Sequence, residues 1–250
     1  MTKPKQVFRR VALSILLLFF IVPLIFAQDA DTTKKEKIKK GWNFGGLPVV
    51  SFDSDLGFQY GLLGSIYHYG DGSRYPEFDH NFYVEASRYT KGSGIFRFAY
   101  ESDRLIKNAR LYFDVSYLPD DSYDFFGFNG YEAVYNEPWI NPDNVNYKTR
   151  AFYKMSNKMF RLRSDIHGKL GIKNLYWTAG AEFYNLKIGS VDIEKFNKGK
   201  DEEDLLPTVD SIPGLYENYQ TWGLIPDEDK NGGQVFGVKA GLMYDSRNVR

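Results

Sequence analysis

Residues 160–170 read FRLRSDIHGKL, and their two parities differ in kind. Phe160, Leu162, Ser164, Ile166, Gly168 and Leu170 carry no charge, whereas Arg161, Arg163, Asp165, His167 and Lys169 are charged or titratable. Side chains of a β-strand alternate between the two faces of its sheet, so the pattern predicts a strand with an apolar environment on one side and water on the other. A soluble sandwich and a membrane barrel both supply that pair of environments.

The segments around it repeat the pattern. Phe82, Val84 and Ala86 alternate with Tyr83, Glu85 and Ser87; Leu111, Phe113 and Val115 with Tyr112, Asp114 and Ser116; Phe236, Val238, Ala240 and Leu242 with Gly237, Lys239 and Gly241. Eight segments are predicted as strands: 58–69, 81–89, 94–103, 109–118, 147–156, 160–171, 175–189 and 234–246. They are longer than the usual strand of about 5–6 residues and match the ~9–11 that a tilted strand needs to cross a bilayer. The stretch 41–57 contains Pro48 and adjacent glycines at 45 and 46, and reads as a lead-in rather than a strand.

The first 27 residues have the build of a secretory signal. Lys3, Lys5, Arg9 and Arg10 precede an apolar run from 11 to 26, and Ala27 followed by Gln28 offers a cleavage point. The run is short for a membrane span and is broken by Pro23, which makes an uncleaved anchor the weaker reading. Residues 28–40 are polar and charged without apolar periodicity and read as a flexible leader, so 41–250 is left as the folded domain. Removing the four basic residues of the signal from 32 leaves 28 Lys plus Arg against 32 Asp plus Glu, a balance that gives no footprint for nucleic acid. The chain has no cysteine, which excludes a disulfide framework and a lipid-modified cysteine. With 20 Phe, 19 Tyr and 23 Gly, it is rich in strand-forming aromatics and in turn residues. Tyr67, Tyr69, Tyr89, Tyr117, Tyr147, Tyr153 and Trp177 fall near predicted strand ends, where bilayer-interface girdles form. Export signal, strand length and alternation together favour the membrane barrel over the sandwich.

If the first strand leaves the leader at 58, the link at 190–233 falls on the exterior side and the link at 119–146 on the periplasmic side. The second is too long for a periplasmic turn.

Three landmarks carry a family resemblance: GGLPVVSFDSDLGFQYGL (45–62), FFGFNGYEAVYN (125–136) and AGLMYDSRNVR (240–250). In that order they resemble the BamA/TamA-type outer-membrane superfamily, the bacterial surface antigen family, in the style of its Bacteroidota-like members. Gly127, Asn129 and Gly130 match its aromatic and glycine-rich "FYGxGN" element. Asp245 and Arg247, with Ser246 and Asn248, match its "DTRDN" element less one residue. The resemblance implies an antiparallel transmembrane barrel and a role in outer-membrane protein assembly or translocation, with no enzymatic chemistry. Family assembly factors carry periplasmic POTRA domains and sixteen strands with a "VRGF" loop; none of these is found here. The chain is therefore expected to be a truncated N-terminal half barrel of about eight strands, whose partners are outer-membrane lipid, other outer-membrane proteins or a chain that completes the barrel.

The candidate lumen-lining residues are Glu85, Asp114, Arg161, Arg163, Asp165, His167, Lys169, Glu182 and Lys239. A strand at 58–69, weakened by Gly57, Gly61 and Gly64, is the candidate seam; lumenal packing of those glycines is the other reading. A passive pore or exterior-ligand binder is the alternative function. Catalytic, metal and cofactor sites are predicted to be absent. His167 lies two residues from Asp165 without a nucleophile motif, His68 and His80 with Asp71, Glu77 and Asp79 match no ligand spacing, and the NGG at 231–233 lacks a P-loop lysine. Arginine is predicted to be costly at Leu162 and Ile166 and tolerated at Ser116.

Overall fold

The computed structural model describes residues 37–128 and 134–246. The predicted signal, most of the leader, Asn129, Gly130 and Arg247 lie outside the described residues. Eight strands form one antiparallel sheet in chain order: β1 Trp42–Asp53, β2 Gly57–His68, β3 His80–Tyr89, β4 Gly94–Ile106, β5 Ala109–Asp124, β6 Lys154–Lys169, β7 Leu175–Gly189 and β8 Gly232–Tyr244. β1 pairs only with β2 and β8 only with β7, so the sheet is open. Among the described residues no helix is long and apolar enough to cross a membrane.

Two sequence expectations are corrected. The stretch 41–57 is not a lead-in: β1 pairs with β2 along its whole length, from Trp42 opposite His68 to Asp53 opposite Gly57. Pro48 is accommodated because β1 is an edge strand with a neighbour on one side only. Residues 147–156 are not a separate strand. Tyr153 is packed in a loop core, while Lys154 already belongs to β6, which runs unbroken through the predicted link at 157–159. One strand gained and one lost keep the count at eight.

These changes reassign the two ends of the sheet. The links 54–56, 90–93, 125–153 and 190–231 all lie at one end, and 69–79, 107–108 and 170–174 at the other, where β1 begins. Both long links therefore share an end instead of lying on opposite sides, which removes the oversized periplasmic turn. The tight turns that hold the register use residues suited to them. Asp53 Oδ1 accepts from the amides of Asp55 and Leu56 at 2.8 and 2.9 Å, and Asn108 and Asn174 both take φ of +62°.

The long links pack on each other as a cap. They include two short helices, α1 Ile193–Asn197 and α2 Leu215–Thr221. One apolar core joins Phe125, Phe152, Tyr153, Met155, Leu215, Tyr216 and Ile225; a second joins Ala151, Val191, Ile193, Phe196 and Leu206. Most of the fully buried apolar side chains lie in this cap rather than in the sheet. A register shift in β5 between Asp120 and Tyr123 turns Asp121 toward the cap. There it meets Lys195 of α1 at 3.1 Å and Lys158 at 3.3 Å. The Asp121 carboxylate beside it raises the Lys195 ammonium above its ordinary range.

Phe152 lies between Trp139 and Tyr153 and accepts the Leu215 amide on its carbonyl at 2.7 Å. Phe152→Ala is expected to cost the cap about 3–5 kcal/mol. Limited proteolysis should then open new cleavage sites in 125–153 and 190–231 while the strands stay protected; cleavage spread through the strands would show that the cap and sheet do not separate in this way.

Candidate functional site

The register carries every charge-free parity to the same face. Following the pairs Ile66–Phe82, Phe82–Tyr100, Tyr100–Phe113, Phe113–Ser164, Ser164–Ala181 and Ala181–Val238 crosses the sheet from β2 to β8 without changing side. Phe44, Leu62, Val84, Phe98, Val115, Leu162, Phe183, Phe236 and Leu242 share that face. Among the described residues no layer covers it: Phe44 is 88% exposed, Phe236 72% and Val84, well inside the sheet, 50%. Eight strands ~4.8 Å apart, with an apolar band about 20 Å tall, present on the order of 750 Å². The largest apolar patch of a typical soluble monomer is about 300–600 Å². β1 departs from the pattern, since Leu47 and Val49 lie on its other face.

The opposite face carries all nine residues that the sequence singles out as lumen-lining, and six of them join ion pairs. Asp114, 1% exposed, accepts from Arg97 Nε at 2.7 Å, from Arg161 Nε and Nη2 at 3.1 and 2.9 Å, and from Ser116 Oγ at 2.7 Å. Asp165 accepts from Arg163 Nε at 2.6 Å and lies 2.5 Å from Lys239 Nζ, which also approaches Glu182 at 3.9 Å. Gly180 makes room for that group: a Cβ there would sit 2.4 Å from Asp165 Oδ1 and 2.6 Å from Lys239 Cε. Glu85 accepts from Tyr83 Oη at 2.7 Å. His167 and Lys169 line a cleft of about 1100 Å³ with Glu101, Arg110, Tyr176 and Met243. Because that cleft draws on strands from β4 to β8, the polar face is the concave one.

Reasoning from sequence missed Arg97, Glu101, Tyr112 and Arg110, which complete the network. Arg97 Nη2 donates to Tyr112 Oη at 2.8 Å and Arg110 Nε to Glu101 at 2.8 Å. Their parity on β4 and β5 was sufficient to find them. Ser116 is a correction. It is fully buried and accepts from Arg161 Nη2 at 3.2 Å, so an arginine there has no space.

Other sequence expectations fall in different places. Gly127 lies in the cap with φ of +92°, and a Cβ there would lie 2.1 Å from Tyr219 Oη. Asp245 follows β8, where its amide donates to Asn174 O at 2.9 Å. Gly61 lies on the polar face and supports the packing reading, because a Cβ would meet Ala86 O at 2.3 Å, whereas Gly64 lies on the apolar face; β2 is paired on both sides, and the free edges belong to β1 and β8. His68 and His80 sit on the apolar face in an aromatic cluster. Trp42 and His68 have centroids 4.7 Å apart, and His80 Nδ1 lies 2.9 Å from Tyr100 Oη. Asp79 is held by Arg74 and Arg104, both at 3.1 Å. Of the predicted girdle, Tyr117 and Trp177 are on the apolar face, Tyr67 and Tyr89 on the polar one, and Tyr153 in the cap.

Removing the Asp114 charge would leave two guanidiniums facing each other on one face. Asp114→Ala is expected to cost about 3 kcal/mol, the low end for breaking a buried ion pair because both arginines keep partial contact with solvent. Urea unfolding measures it; a loss below ~1 kcal/mol would show that Asp114 does not organise the network. Comparison with protein-family models, with curated proteins and with solved structures finds no match to this chain.

Proposed function

We propose that residues 41–246 are the wall of an outer-membrane β-barrel of the BamA/TamA-type superfamily, with lipid against the apolar face and water against the ion-paired face. The observation that carries this reading is the single uncovered apolar face held in register across all eight strands. Water is a poor solvent for such a face and hydrocarbon a good one. Strands of 10 to 16 residues suffice for a tilted crossing of about 9–11. The end distribution of links fits as well. If the leader enters from the periplasm at the start of β1, both long links are exterior and the opposite end carries shorter ones, the asymmetry of bacterial barrels.

The proposed role is assembly or translocation of other outer-membrane proteins. Its support is β1, a 12-residue strand whose outer edge offers unpaired backbone groups to an incoming strand or to a chain that completes the barrel. No catalytic step is proposed for the polar face, because its central carboxylates, Asp114 and Asp165, are already neutralised by arginine and lysine. A passive pore is the competing function.

Leu162→Arg is expected to lower folding stability in lipid vesicles by about 2–4 kcal/mol, whereas Thr178→Arg, on the concave face, should cost less than about 1 kcal/mol. Equal costs, or recovery of the wild-type chain from the soluble periplasmic fraction, would sink the membrane reading. Depletion of the protein from cells separates the two roles: loss of other barrels from the outer membrane is the outcome expected for assembly, and altered solute uptake with a normal barrel complement would favour the pore.

A further inference from the structure

Four links converge at one corner of the cap. The Lys91 amide donates to Leu56 O at 3.1 Å, joining the 90–93 turn to the 54–56 turn. Lys91 Nζ reaches the carbonyl of Phe196 in α1 at 3.5 Å and lies 5.7 Å from the centre of its ring. Arg150, from the 125–153 link, approaches Asp55 no closer than 3.9 Å. Lys200, just after α1, has its Nζ buried without a hydrogen-bond partner.

The other cap lysines that engage acids do so closely. Lys154 lies 2.6 Å from Asp124, Lys195 3.1 Å from Asp121 and 3.4 Å from Asp192, and Lys230 3.3 Å from Asp227. Lys91 and Lys200 instead join no ion pair among the described residues, and Arg150 has a single long contact, 3.9 Å to Asp55. Burial, followed by the charges of Arg150 and Lys91, pulls the Lys200 ammonium below its ordinary range, while Asp55 and Asp204 only partly offset them. A buried ammonium with all three donors idle is costly, and a ligand that accepts from it removes that cost.

We propose that Lys91, Arg150 and Lys200 form an anion site on the cap that takes a phosphate monoester, either free or carried on a lipid head group. Two ammoniums and a planar guanidinium approach from different links, which suits a tetrahedral oxyanion with three free oxygens better than a flat carboxylate. A phosphate monoester near neutral pH carries about −1.5 to −2 charges, which answers an excess of cations that Asp55 and Asp204 only partly offset. The inference rests on the cap alone and stands apart from the membrane reading.

The test is hydrogen exchange of the full chain in detergent, followed through residues 193–204 during titration with inorganic phosphate. Exchange is expected to slow saturably, by roughly tenfold at ten times the dissociation constant, as linkage requires. Chloride or acetate at equal ionic strength should leave it unchanged. Lys200→Met and Arg150→Gln should each abolish the phosphate response, and Lys200→Met should keep at least wild-type protection in phosphate-free buffer because it removes an unpartnered charge. Equal slowing by chloride or acetate, a retained response in Lys200→Met, or loss of its cap protection without phosphate would each overturn the proposal. Nanodiscs identify the source. Protection in phosphatidic acid discs relative to phosphatidylcholine discs, without added phosphate, assigns a lipid head group; protection only on adding inorganic phosphate assigns the free ion; no protection in either case overturns the site.

Discussion

Register is the constraint on which the rest depends. Strand side chains have a period of two, so a slip of one residue between any two neighbours would carry half of the apolar residues onto the charged face. From β2 to β8 no such slip occurs: Phe82, Phe113, Leu162 and Val238 end on one side, Glu85, Asp114, Arg163 and Lys239 on the other. The two irregularities lie toward strand ends, at residues 102–106 of β4 and 120–123 of β5, and the second turns Asp121 to the cap.

The stabilising interactions are divided between the parts. In the cap, aromatic packing around Phe152 and Tyr216 buries apolar surface in the manner of a soluble core. In the sheet, most buried side chains on the concave face are polar, Asp114, Ser116 and Ser87 among them with Ala99 the small exception, and from β2 to β8 the large apolar side chains mostly face outward. Such an inverted sheet lacks an internal hydrophobic driving force, and on the proposed reading the surrounding lipid supplies it. The ion pairs then hold the concave face together where a core would otherwise be.

Strand alternation was strong enough to be legible in the sequence wherever both parities were distinct. β7 falls at residues 175–189, as its alternation predicts, and all nine polar residues singled out share the concave face. β1 was hidden for a physical reason. Pro48, the adjacent glycines and apolar residues on both parities are what an edge strand tolerates, and they erase the alternation that marks inner strands. The mistaken strand at 147–156 had the opposite cause, since Phe152, Tyr153 and Met155 form a helix-free apolar run that packs in the cap. Cap contacts such as Lys195 with Asp121 join residues far apart in sequence, and no local pattern announces them.

Whether lipid covers the apolar face is the central claim, and the chain is suited to asking it directly because it contains no native cysteine. Single cysteines placed at each position from 160 to 169, in protein reconstituted into vesicles, can be labelled with an environment-sensitive fluorophore and quenched from the lipid chains or from water. The account predicts a period of two, with lipid quenching at 160, 162, 164 and 166 and aqueous quenching at 161, 163, 165 and 167. Uniform aqueous quenching at both parities would contradict it.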